Sequence, residues 1–133
     1  MLATVLIAST LAAPAFAAYE IDSHWATGRR DLTIVNTDPA LGWANAIKNA
    51  IGQWNAAGAD VRLTYAEGSA PCTLTTPSTQ VGFCYDSALP TNTGNASSRF
   101  DANNHTVAAK TTVAPDSDIF GQFYLACHEI GHI

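Results

Sequence analysis

Positive charge is scarce in this chain: its 133 residues hold six Lys and Arg against eleven Asp and Glu, a net charge of −5. The few cations are scattered, so no basic patch is present to neutralise phosphates, which argues against a nucleic-acid partner. Long apolar runs are missing too. The candidate run, residues 2–13, is short and interrupted by Thr4, Ser9 and Thr10, a poor match to a membrane-spanning helix. No internal repeat, long linker or EF-hand spacing occurs, and the length suits one domain at most.

The N-terminal apolar run instead reads as a leader. It is followed by Pro14 and by Ala15-Phe16-Ala17, whose small residues suit signal-peptidase cleavage after Ala17. No Lys or Arg precedes the run, and an uncleaved anchor or a buried N-terminal helix is the competing reading. The expectation is a signal peptide over residues 1–17, a domain over residues 18–133 and a secreted, extracellular product with no stable membrane association after cleavage.

Three cysteines fit an oxidising compartment. Cys72 and Cys84 flank a Thr/Pro/Ser-rich segment, and a bridge between them would close a short loop. The alternative is two buried thiols. Cys127 is left over, either as a small core residue or as the partner of a cysteine outside this chain.

Periodicity divides the domain into strands and helices. Leu32 and Ile34 alternate within Asp31–Asn36, a strand. Asp38-Pro39 then opens a helix over residues 39–57, with Trp43, Ile47, Ile51 and Trp54 along one stripe and Gly58 as its stop. Val61, Leu63 and Tyr65 mark a second strand, so the unit reads as βαβ with a right-handed crossover. Val81, Phe83 and Tyr85 mark a third strand. Residues 87–104 are rich in Ser, Thr, Asn and Gly and read as a surface loop, with sequons at Asn95 and Asn104. A fourth strand spans residues 106–113. The fold class expected is α/β (α+β).

Asp116-Ser117-Asp118 caps a last helix from Ile119. At about 100° per residue, Ile119, Phe123, Ala126, Ile130 and Ile133 share one arc, and Gly121, Leu125, His128 and His132 share the opposite one. Glu129 falls between. The chain thus ends in His128-Glu129-Ile130-Gly131-His132, a His-Glu-x-x-His pattern on a helix. Two imidazoles one turn apart can meet a single zinc ion, and the Glu can serve as general base toward a zinc-bound water. His24 and His105 stand at no ligand spacing and read as surface or loop histidines.

Residues 127–133, Cys-His-Glu-Ile-Gly-His-Ile, resemble the start of the zinc-binding helix of the matrixins, a branch of the metzincin metalloproteases. Gly131 matches the small residue that this family places before the second His. The upstream order of strand, long helix and strand agrees with it over most of residues 19–133. The resemblance implies a metzincin-like N-terminal subdomain with a twisted mixed sheet, a long packing helix and an active-site helix, the C-terminal subdomain being absent. It further implies a secreted zinc metalloendopeptidase with His128 and His132 on the Zn2+ and Glu129 catalytic, acting on a protein or peptide bound as an extended strand along a sheet edge. Residues 106–113 are the candidate edge. The family's third ligand, following Gly and methionine turn are absent, so this chain is expected to be a C-terminally truncated fragment without activity of its own. No cysteine-switch propeptide is present. Matrixins often carry Ca2+, for which Asp86, Asp101, Asn103, Asp116 and Asp118 are loop oxygen donors. The competing functions are a zinc hydrolase of another HExxH clan, with a distant Asp or Glu as third ligand, and a secreted non-catalytic binding module.

Overall fold

The computed structural model describes residues 24–26, 28, 30–58, 60–70 and 72–133. The leader assigned to residues 1–17, and Ala18 as the start of the mature chain, lie outside them. The described residues form a mixed α/β unit with a mostly parallel sheet and two helices.

Strand β1 is His24–Trp25, β2 Asp31–Asn36, β3 Arg62–Glu67, β4 Gln80–Tyr85, β5 Gly94–Phe100 and β6 His105–Val113; helix α1 is Ala44–Ala56 and α2 Ile119–Ile130. The sheet runs β1-β6-β4-β2-β3, with β5 added to β6. Every pairing is parallel except β5 with β6.

The β2-α1-β3 unit follows from its sequence. Leu32 lies opposite Leu63 in the parallel register, and Leu32, Ile34 and Leu63 are buried beneath Ala46, Ile47, Ala50 and Ile51 of α1. The single helix expected over residues 39–57 is, however, two pieces. Asp38 accepts a bond from the Ala40 amide and opens a 3-10 turn, Pro39–Leu41, which ends where Gly42 takes a left-handed conformation (φ 78°). That reversal breaks the i to i+4 ladder, so α1 starts only at Ala44. At the other end Gly58 (φ 76°) stops the helix as its sequence position suggests. Trp43, wholly buried, packs its indole on Phe83 and Tyr85 at 5.5 and 5.9 Å. Asn36, also wholly buried, accepts from the Tyr85 hydroxyl at 2.6 Å and donates to that of Tyr65 at 3.3 Å. Burial pushes the Tyr85 phenol above its ordinary pKa.

The segment between β3 and β4 is joined through Cys72 to Cys84 on β4, with Cα atoms 6.0 Å apart. Arg99 of β5 donates to the Leu74 and Thr75 carbonyls of that segment. Val35 and Ala108 are buried although neither belongs to the core under the helices.

Three expectations need correction. Residues 87–104 are not all loop, because β5 occupies their centre. Its sequence, Gly-Asn-Ala-Ser-Ser-Arg-Phe, has little β propensity, and its pairing with β6 overrides that weak local signal. Residues 106–113 are consequently not an edge: β6 is flanked by β5 along one side and by β4 and β1 along the other, and β5 is an edge.

The third correction concerns the buried face of α2. Ile119 and Phe123 are 56 % and 38 % exposed, whereas Leu125 is 3 % exposed, and the buried seam is Leu125, Ala126, Glu129 and Ile130. That seam is turned by roughly 50° from the expected arc. The reason is β5, which gives the helix a surface to pack on at the Glu129 side.

Candidate metal centre

Helix α2 is set in place at both ends. At its start Asp118 accepts from the Gly121 amide at 2.7 Å, satisfying one of the free N–H groups of the first turn. Asn92 braces that cap from the preceding loop, accepting from the Asp118 amide and donating to its carboxylate, both at 3.2 Å. A side chain at Gly121 has no room, since its Cβ would fall 2.0 Å from Asn92 Oδ1. The hydrogen bonds of the cap hold the Asp118 carboxyl below its usual pKa.

Near the other end, the Trp54 indole of α1 donates to the Cys127 carbonyl at 2.9 Å. The same ring covers Gly131, where a Cβ would fall 2.3 Å from Trp54 Cζ2. Trp25 of β1, buried, donates its indole N–H to the Ile133 carbonyl. The turn that carries His132 is therefore clamped by two tryptophans from distant parts of the chain.

On this frame the two imidazoles converge. His128 Nε2 and His132 Nε2 are 3.1 Å apart, with the rings edge-on at 84°. Two ligands of one tetrahedral zinc, each about 2.0–2.1 Å from it, stand roughly 3.3–3.4 Å apart. The observed separation fits a shared cation; in its absence it also fits one ring N–H donating to the other nitrogen. Both side chains are exposed, and the Tyr124 ring lies flat on His128 at 5.5 Å between centroids.

Glu129 has a different setting. It is only 5 % exposed and packs against β5 at Gly94, where a Cβ would fall 3.1 Å from Glu129 Cγ and Oε1. Burial raises its pKa above the ordinary 4.5, opposed by the nearby His128 and His132. His128, Glu129 and His132 open together on a cleft of about 770 Å³, whose other walls include Gly94, Ala96 and Ser98 of the edge strand and the apolar Trp25, Trp54, Leu63 and Ile130.

Among the described residues no group of three or more His, Cys, Asp or Glu is placed to hold a metal. The centre therefore consists of two converging imidazoles and an adjacent carboxyl group. The calcium candidates are spread over local turns: Asp86 accepts from the Ala88 amide, Asp101 from those of Asn103 and His105, and Asp116 from the Thr91 hydroxyl. His24 and His105 are neighbours in the β1–β6 register, with ring centroids 5.1 Å apart, and His105 faces Asp101. Both lie on strands, His24 exposed at the surface and His105 half-buried. Cys127 carries a free thiol, half-buried beside Gln53. Among the described residues no helix is long and apolar enough to cross a membrane.

Sequence reasoning missed Gly94, Trp54 and Tyr124 as parts of the site. Tyr124 was legible in principle, standing four residues before His128 on the same helix; Gly94 and Trp54 come from elements whose approach to α2 no local pattern encodes. Comparison with protein families, curated proteins and solved structures finds no match for the chain.

Proposed function

We propose that this chain is part of a secreted zinc-dependent metalloendopeptidase of the matrixin type, with Glu129 as its general base. The observation that carries this reading is the 3.1 Å approach of His128 Nε2 to His132 Nε2 at the mouth of a cleft that also exposes the Glu129 carboxyl group. His128 and His132 would hold the zinc. Zinc bound there supplies a Lewis acid and lowers the pKa of a coordinated water.

The remaining chemistry belongs to the chain itself. Glu129, adjacent to both imidazoles, takes the proton of the attacking water and passes it to the leaving amine. Its burial against Gly94 keeps the carboxyl group at the cleft wall. Among the described residues strand β5 pairs with β6 alone, so its other side would offer N–H and C=O groups to an extended peptide, which would add to the sheet as a further strand. The scissile bond would then lie between the edge strand and α2. The Cys72–Cys84 bond is in keeping with secretion.

The test is metal content and peptidase activity of the protein expressed with any coding sequence downstream of Ile133. One zinc per chain is expected by mass spectrometry. Glu129→Gln should keep that zinc and lose nearly all turnover, and His128→Ala should lose both. Near-normal turnover by Glu129→Gln would show the assigned mechanism to be wrong, and zinc-free protein would remove the metal.

A further inference from the structure

Tyr124, His128 and His132 stand at four-residue intervals along α2 and the turn that follows it, and their rings form a ladder. The phenol is nearly parallel to the His128 imidazole, 16° between planes and 5.5 Å between centroids. The His128 ring in turn meets His132 edge-on, with centroids 4.7 Å apart. Tyr124 is 66 % exposed, so burial does little to hold its ring in this place. An exposed aromatic ring laid flat on a candidate ligand one helical turn away suggests a role in orienting that ligand.

We propose that Tyr124 is a positioning residue for His128, holding the plane of the imidazole in the orientation from which its Nε2 reaches His132. This rests on the reading of the two histidines as zinc ligands. An exposed histidine on a helix has two accessible χ1 wells and a broad, two-fold χ2, about four ring placements in all. One of them brings Nε2 to within 3.1 Å of its partner. A ring free to visit the others is competent for only part of the time, and the apparent affinity for a shared cation falls by that fraction. Stacking on a neighbouring ring face selects the ring plane, because a flat contact at 5.5 Å survives only while the imidazole keeps that plane; it keeps the two placements related by a flip about Cβ–Cγ and excludes the rest. The hydroxyl of Tyr124 takes no part in this, so the ring alone is required.

The experiment is calorimetric titration with zinc alone of the protein expressed with any coding sequence downstream of Ile133, with far-UV circular dichroism to confirm that α2 is retained. Tyr124→Ala and Tyr124→Leu should weaken zinc binding by about twofold, as the competent share of ring placements falls from about one in two to about one in four. Tyr124→Phe should bind as the unsubstituted chain does. Phe120→Ala, which removes a ring that is 85 % exposed on the same helix and is not stacked on His128, should change nothing. Unaltered zinc affinity in Tyr124→Leu overturns the proposal alone, as does a loss in Tyr124→Phe or Phe120→Ala equal to that in Tyr124→Ala. If the unsubstituted chain and His128→Ala both fail to bind zinc, the reading of the centre is overturned, and the positioning role goes with it.

Discussion

Gly131→Ala tests how the candidate centre is built. The residue has ordinary helical angles (φ −68°, ψ −18°), so alanine brings no backbone strain. What it brings is a Cβ placed 2.3 Å from Trp54 Cζ2 and 3.0–3.1 Å from two further atoms of the same ring. The indole cannot simply swing away, because its N–H is bonded to the Cys127 carbonyl one turn earlier in α2. Either that hydrogen bond or the turn bearing His132 must move. Overpacking of this kind costs about 1–3 kcal/mol, and helix propensity returns up to ~1 kcal/mol of it for Gly to Ala. A net loss of about 1–2 kcal/mol at a urea slope of about 1.5 kcal/mol/M lowers the unfolding midpoint by roughly 1 M with the slope unchanged. Trp54→Leu should relieve the clash, so the alanine substitution should cost less in that background by about 1 kcal/mol or more. The measurement is a urea double-mutant cycle followed by circular dichroism. A neutral or stabilising Gly131→Ala, or full additivity with Trp54→Leu, would refute the clamp.

Two further outcomes are expected. The Cys72–Cys84 bond, closing a separation of 12 residues, should contribute about 3 kcal/mol by constraining the unfolded chain; the double serine variant should show that loss in urea, and an unchanged midpoint would argue against it. Glu129 is a carboxyl group raised above 4.5 by burial, so its contribution to stability is complete below the unfolded pKa and is lost as pH rises through the folded one. In chelator-treated protein the melting temperature of Glu129→Gln should therefore gain on that of the parent between pH 4 and pH 7, and a constant or shrinking difference counts against the burial.

The approach of the two imidazoles was foreshadowed by their four-residue spacing, although α2 ends at Ile130 and His132 stands in the turn that follows it. The turn that carries His132 is held by Trp54 and Trp25, whereas the Asp118 cap that starts the helix is local. The same holds for β2, α1 and β3, whose apolar periodicities lie within short windows. Gly58 acts within that range too, since a left-handed residue ends a helix wherever it stands.

Features decided by contact between distant segments were not legible in this way. Strand β5 has a loop-like composition and is a strand because β6 supplies its hydrogen-bond partners. That pairing moves the sheet edge from β6 to β5 and turns the buried seam of α2 toward Glu129. Gly94 and Gly131 look like ordinary flexible positions in the sequence. Only the tertiary structure shows that one leaves room for the Glu129 side chain and the other for the Trp54 ring. Periodicity along one element carries its internal geometry, whereas the face it buries, and the atoms allowed there, depend on what packs against it.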